Sequence, residues 1–428
     1  MKIDDILKGK FNDKTVELNG WVYRHRAGKD IVFVVLRDST GTIQCVLKKD
    51  QIGEELFEKV SNLRVESSVK IKGKVNEDDR APEGYEIECE DLDIIHLADR
   101  FPITKDKSTE FLLDVRHLWI RSQKMNKILK VKNTLLKSLR EWLDNNEFYE
   151  VNPPIITSSA CEGGTTLFET DYFGDKAYLS QSGQLYLEAL IYSLEKVYAL
   201  TPSFRAEKSR TRRHVMEYWH LEPEAAWVKH EENMEIQEKL LSHACQSIAS
   251  KHGKELEDLG RSPEMLKKVK PPFDRMSYDK ALGILKESGF NLKWGEDFGI
   301  KEERYLTNDR ETPLIVEKYP LEAKAFYMKE DENNPKVVMC NDVLAPEGFG
   351  EIVGASERET KNQVLIDRLN KEGANLDNYG WYLDLRKYGS VPHSGFGVGV
   401  ERVLRWICDL DHIRDTLPFP RTLNRYYP

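Results

Sequence analysis

The stretch from Phe204 to Glu224 constrains this chain more than any other. Phe204-Arg205-Ala206-Glu207 runs into a loop holding Lys208, Arg210, Arg212, Arg213 and His214, and then into Glu217-Tyr218-Trp219-His220-Leu221-Glu222-Pro223-Glu224. Side chains of extended backbone alternate between faces, so Arg205 and Glu207 share one side. The same rule puts His220, Glu222 and Glu224 together on the following strand. An isolated Arg-x-Glu is an ordinary surface pair, but a basic loop held between two strands is suited to phosphate, because arginine's planar fork binds phosphate bidentately and keeps its charge. Two carboxylates on one buried face are costly unless cations meet them. A ligand ammonium and a divalent ion would supply that charge. Pro223 is out of place in a central strand, since it has no N–H to give to the ladder.

With 428 residues the chain is expected to form two or three domains. Its 40% hydrophobic and 10% aromatic content is that of a globular protein. The net charge of −9 does not suggest a nucleic-acid binder, and acidic residues outnumber basic ones in the first hundred positions. Any RNA contact must therefore rest on local patches. The six cysteines are scattered with no CxxC pair, which argues against a zinc ribbon or a disulfide framework. No run approaches a membrane span and the N-terminus lacks a signal-peptide core, so a soluble, cytoplasmic protein is expected.

Residues 15 to about 98 read as five short strands: Val16–Val22, Ile31–Arg37, Thr42–Leu47, Ser68–Val75 and Tyr85–Glu90. With a helical stretch from Glu54 to Val60, they fit a small barrel such as the OB-fold. The domain limits are set at 1–100, 101–120 for a linker around Phe101-Pro102, and 121–428. Ile128, Val131, Leu135, Leu139 and Trp142 then mark an amphipathic helix ending near Asn145-Asn146, followed by an extended segment to Pro153-Pro154. Beyond about 197, strands mix with helices in antiparallel-looking hairpins. Neither a phosphate-binding lysine loop nor a dinucleotide fingerprint is present. Near the C-terminus Gly395, Gly397 and Gly399 alternate, clearing one strand face for a flat ring, and Arg402 opens a helix where it could stack on that ring.

Together these segments resemble motifs 1, 2 and 3 of the class II aminoacyl-tRNA synthetases, in order, and the wording is similar to the asparaginyl branch of the aspartyl/asparaginyl subgroup, in its compact archaeal form. The resemblance implies an α+β protein: an N-terminal OB-fold barrel and a catalytic domain built on an antiparallel sheet flanked by helices. It implies a homodimer that uses ATP and Mg²⁺ to join asparagine to tRNA(Asn) through an adenylate, with no membrane partner. It places Arg205 on the α-phosphate, with Glu207 beside it, Arg213 and His214 at the outer phosphates, and Arg402 on adenine. Asp342 and Glu351 match the Mg²⁺ carboxylates. Phe33 and Gln44 match positions that stack on and hydrogen-bond to anticodon bases, as barrel surfaces read single-stranded RNA.

For the amino acid, Glu162 in Cys161-Glu162-Gly163-Gly164 stands where the subgroup's mobile loop faces the α-ammonium. Gln181 and Gln184 belong to Gln181-Ser182-Gly183-Gln184-Leu185-Tyr186-Leu187. The aspartyl enzymes carry a lysine at the place of Leu187, pairing the substrate carboxylate. Without it, a closed site would leave that charge unpaired, at a cost on the order of 10²-fold or more. Arg358 can still donate to the amide oxygen and Glu222 accept from the amide nitrogen. A non-discriminating aspartyl enzyme, a synthetase-derived asparagine synthetase and a non-catalytic RNA-binding paralogue are the alternatives. The barrel speaks against the second, and the retained Arg205, Glu207, Glu351 and Arg402 against the third.

Overall fold

The computed structural model describes residues 1–104, 107–161, 166–209 and 211–428. The chain divides into two compact units, Met1–Trp119 and Ile120–Pro428. In the first, β1 (Thr15–Ala27), β2 (Ile31–Arg37), β3 (Thr42–Lys48), β4 (Ser68–Glu77) and β5 (Tyr85–His96) close a barrel in the order β1-β2-β3-β5-β4. Strict alternation sends Val32, Val34 and Leu36 of β2, and Ile43, Cys45 and Leu47 of β3, into one core. The helix Glu54–Ser61 adds Phe57 and Val60 to it. Where an irregular linker was expected, the chain forms two short helices, Thr109–Asp114 and Arg116–Trp119. The Ser108 hydroxyl starts the first by accepting from the Phe111 N–H at 3.2 Å. Such single-turn helices are too short for a hydrophobic period to show in sequence.

The second unit contains β6 (Tyr149–Glu150), β7 (Ile156–Thr157), β8 (Phe168–Tyr172), β9 (Asp175–Leu179), β10 (Lys196–Phe204), β11 (Glu217–Ala226), β12 (Asp274–Ser277) and β13 (Leu314–Glu317). It continues with β14 (Glu330–Asp331), β15 (Asn334–Val338), β16 (Cys340–Ala345), β17 (Gly350–Glu357) and β18 (His393–Gly399). Eight of these form one sheet in the order β12-β13-β16-β17-β18-β11-β10-β6. Its centre is antiparallel, and only the outer pairs β12–β13 and β10–β6 are parallel. The smaller sheets are β7-β9-β8 and β14-β15.

The expected amphipathic helix spans Gln123–Asn145, with Ser122 capping it through the Met125 N–H at 3.3 Å. It buries Ile128, Val131, Leu135, Leu139 and Leu143 and packs against the helix His230–Lys251. At its end the fully buried residue is Leu143, one position beyond Trp142, because the 3.6-residue period drifts relative to a strict four-residue step. β11 lies between β10 and β18 in the interior of the sheet, so its carboxylates are not on a solvated edge. The β11–β18 pairing skips Glu222 and Pro223, running from Leu221 opposite Val398 to Glu224 opposite Gly395. The proline sits where the ladder needs no donor from it.

Candidate active site

The face of the large sheet over β11, β17 and β18 holds a cavity of about 350 Å³ lined by Leu187, Arg205, His220, Glu222, Glu224, Lys324, Asp342, Glu351 and Arg358, among others. A second cavity of about 90 Å³ adjoins it and shares Arg205, His220, Glu351 and Gly397. Glu207, Arg213, His214, Gly399 and Arg402 complete its wall. Most of the expected site residues thus converge on two connected spaces with Arg205 on both. Gln181 is the exception. It is buried and does not line either cavity, and its amide donates to the Thr166 hydroxyl at 2.7 Å. Glu162 lies outside the described residues.

The acidic strand is organised by cations. Arg358 forks onto Glu224, with Nε to Oε1 at 3.0 Å and Nη2 to Oε2 at 2.8 Å, and its Nη1 donates to Ser356 Oγ at 2.8 Å. Three of its five N–H groups are used, and the rest can address a ligand. Burial pushes the Glu224 carboxyl up, against the pull of Arg358. Glu222 accepts from the Ser182 hydroxyl and, at 2.9 Å, from the Gly183 N–H at the start of the helix Gln184–Leu194. Glu222 Oε1 also lies 3.3 Å from His220 Nδ1, and the residue lines the cavity. Leu187 is fully buried in that helix and borders the cavity, so this position brings no cation to the wall.

Gln184 reaches Glu188 at 3.0 Å, and Glu188 is the hub of a buried network unseen in the sequence reading. It accepts from Tyr382 OH at 2.8 Å, Arg386 Nη2 at 2.6 Å and His393 Nε2 at 3.0 Å. Burial alone would raise its carboxyl, but Arg386 and His393 hold it well below the usual range.

The alternating glycines do something other than expected. A Cβ on Gly395 would overlap the Glu224 carboxylate, and one on Gly397 would overlap the His220 ring. The cleared space is filled by side chains of β11, not left open for a ring along the whole strand. Gly397 and Gly399 still border the smaller cavity.

At the far end, Arg213 donates to Glu303 at 2.6 Å, and Glu303 also accepts from the Glu351 N–H at 2.9 Å. His214 is held by the Thr211 and Ser209 hydroxyls through Nδ1, and its Nε2 stands 3.6 Å from Glu207. Burial, with Arg402 adding repulsion, lowers its ring below the ordinary histidine range. Arg402 donates to Glu351 Oε2 at 2.8 Å. Against its burial, Arg402 and then Lys324 pull the Glu351 carboxyl down to about 2. Asp342 is pushed up to about 7 by burial, with Lys324 opposing and Glu351 adding to the rise. Among the described residues no group of three metal-ligating side chains converges. Asp342 and Glu351 do share a target: a methyl on Gly354 would stand 3.7 Å from Asp342 Oδ1 and 3.5 Å from Glu351 Oε1. Two carboxylates suit Mg²⁺, which keeps its waters and takes phosphate oxygens for the rest.

Lys324, which lines the larger cavity, and Glu303, which holds Arg213, are charged residues that the sequence reading also missed. The one local sign of Lys324 is a lone cation in the apolar run Ala323–Tyr327.

On the barrel, Phe33 pairs with Val46 and Gln44 with Val35, so Phe33 and Gln44 are diagonal neighbours on the outer face. Arg26 lies across from Phe33 and Arg24 across from Val35. The Gln44 amide donates to Glu86 at 3.0 Å. Among the described residues no helix is long and apolar enough to cross a membrane.

Comparison with known proteins identifies the family. Residues 108–423 match the family of class II tRNA synthetases (D, K and N), and residues 16–95 match the OB-fold nucleic acid binding domain. The asparagine–tRNA ligase of Thermococcus gammatolerans is 52% identical over 99% of this chain and 98% of its own. The crystal structure of asparaginyl-tRNA synthetase from Pyrococcus horikoshii complexed with asparaginyl-adenylate superposes with a TM-score of 0.95 at 51% identity, covering 98% and 97% of the two chains. The Entamoeba histolytica asparaginyl-tRNA synthetase gives 0.90 at 34% identity, covering 99% and 98%. The chain therefore belongs to the class II tRNA synthetases, in their asparagine–tRNA ligase family.

Proposed function

We propose that this chain activates L-asparagine with ATP and transfers it to tRNA(Asn). The observation that carries the reading is the pair of connected cavities, one lined by the Glu222, Glu224 and Arg358 cluster with Leu187 in its wall, the other by Arg213, His214 and Arg402, with Arg205 on both. The first suits an amide side chain and an ammonium. The second suits a nucleotide.

The asparagine carboxylate oxygen attacks the α-phosphorus of ATP, and the bond to the β-phosphate oxygen breaks, releasing pyrophosphate. A hydroxyl of the terminal adenosine of the tRNA then attacks the acyl carbon, and AMP leaves. Arg205, with Glu207 beside it, faces the phosphorus where negative charge grows, so its contribution is electrostatic positioning. Arg358 donates to the amide oxygen and Glu222 accepts from the amide nitrogen. An aspartate carboxylate would meet Glu222 without a compensating lysine. Gln184, which lines the first cavity and donates to Glu188, and Gln181 are assigned to the amino acid. Glu162 is assigned to the α-ammonium from the family resemblance alone. Arg213 and His214 face the outer phosphates, and Arg402 the adenine. Asp342 and Glu351 would hold Mg²⁺, which neutralises phosphate charge when bound.

Phe33 and Gln44 are assigned to anticodon bases, supported by their shared outer face. A homodimer is assigned to the long helix and β6, supported by β6 standing at the sheet edge with Tyr149 58% exposed. The cytoplasm is the assigned compartment, supported by six cysteines all free and buried.

The test is aminoacylation of a tRNA(Asn) transcript with labelled asparagine or aspartate. The reading expects asparaginyl-tRNA. Aspartyl-tRNA would show the non-discriminating enzyme instead, and no product with either would point to the paralogue.

A further inference from the structure

The two carboxylates that face Gly354 are each shared between the cavity and a cation of the protein. Glu351 gives Oε2 to Arg402 at 2.8 Å and turns Oε1 toward Gly354. Asp342 gives Oδ2 to Lys324 at 2.9 Å and turns Oδ1 toward Gly354. Lys324 is itself fixed on several sides. Its ammonium lies 3.3 Å from Asp297 Oδ2 and 3.9 Å over the Tyr319 ring, and its side chain is 11% exposed. A lysine held by two carboxylates and an aromatic face in a cavity wall is not a solvated surface charge. The expected reaction assigns it no role.

We propose that Lys324 is the resident counter-cation of the metal site, which balances Asp342 so that a divalent ion binds well only together with the polyphosphate. This rests on Asp342 and Glu351 being the metal ligands. Each inward oxygen is offered to the cavity, but each carboxylate already has a cation on its other oxygen: Arg402 on Glu351, and Lys324, shared with Asp297, on Asp342. An ion approaching the empty site therefore meets two fixed positive charges behind its ligands and gains little. When polyphosphate enters, its negative charge outweighs Lys324 and Arg402, and the same oxygens then complete a sparse Mg²⁺ shell. Lys324 in this role is a positioning residue. It fixes which Asp342 oxygen faces the cavity, and it makes metal and nucleotide arrive as a unit.

The experiment is titration of the full-length protein with Mn²⁺ under equilibrium dialysis, with and without ATP and in the absence of asparagine, reading the protein-bound ion as the excess on the protein side over the Mn²⁺ and Mn²⁺–ATP common to both sides. Wild type and K324R should bind Mn²⁺ weakly without ATP and much more tightly with it. K324M should bind Mn²⁺ without ATP at least tenfold more tightly than wild type, since removing one unit charge near a divalent ion is worth about that much even at the screening of bulk water. It should lose most of the gain that ATP confers. Circular dichroism and thermal melting establish that each variant is folded, and K324R, which keeps the charge, separates charge from shape. Unchanged or weaker ATP-free Mn²⁺ binding by folded K324M overturns the proposal. D342N is the control on its premise: if ATP-dependent Mn²⁺ binding survives D342N, the assignment of the metal ligands fails first, and the role of Lys324 fails with it.

Discussion

Leu187 and Glu222 stand on the wall of the larger cavity, and the proposed selectivity for asparagine rests on them. Leu187 is fully buried in the helix Gln184–Leu194, while Glu222 presents its carboxyl group from β11. A buried site discriminates most strongly when the wrong ligand leaves a charge unpaired. Leu187→Lys supplies the missing cation and should lower asparagine-driven exchange. We expect the aspartate-to-asparagine ratio of kcat/KM to rise by at least about tenfold, as a pocket regains a partner for the second carboxylate. A ratio that stays put in a folded variant would show that selectivity is set elsewhere. The residues of this pocket differ in how far the sequence exposes them. His220, Glu222 and Glu224 can be placed together from alternation along one strand. Lys324, Glu303 and the partners of Glu188 come from segments far apart in the chain, and no local period brings a lysine at 324 to an aspartate at 342.

β11 and β18 are matched so closely that backbone substitutions on one report on side chains of the other. A Cβ on Gly395 would overlap the Glu224 carboxylate and stand 2.6 Å from the Pro223 carbonyl oxygen. Gly395→Ala should cost about 1–3 kcal/mol of stability through overpacking and weaken asparagine binding by disturbing the Arg358–Glu224 fork. Gly283, inside the helix Tyr278–Glu287 with nothing within 4 Å of an added Cβ, is the contrast. Gly283→Ala should stabilise by about 0.5–1 kcal/mol, and chemical denaturation of both variants checks the pair.

The turn Ile413–Thr416 carries a pH response of its own. His412 Nδ1 accepts the Arg414 N–H at 3.2 Å, and burial, followed by Arg414, lowers the ring from 6.5 to about 4. A base whose folded value is depressed leaves the unfolded chain binding the proton first, so its contribution is full above 6.5 and is lost as pH falls toward 4. His412→Asn keeps a capping acceptor without titrating there. Its melting temperature should fall less than that of wild type between those pH values, and parallel curves would remove His412 from the account.

The two compact units differ in how far the sequence exposes them. The barrel was legible almost strand by strand, because short β-branched runs between turn signals leave few alternatives. The large sheet was legible only as antiparallel hairpins around β10, β11 and β18. Its outer strands β12 and β13 are four residues each, and their parallel pairing joins segments some forty positions apart. The glycines of β18 were visible, but their purpose depends on side chains from β11 that no window of sequence contains. Phe33→Ala should leave amino-acid activation unchanged while lowering kcat/KM for tRNA by about 10–100-fold, the value of one stacked base. Equal loss in both assays would place Phe33 in folding instead of RNA recognition. The amino acid that the larger cavity activates is read directly by ATP–pyrophosphate exchange without tRNA. Exchange driven by asparagine, with aspartate at least about 10²-fold less effective, is the predicted result. Aspartate driving exchange as well as asparagine does would contradict it.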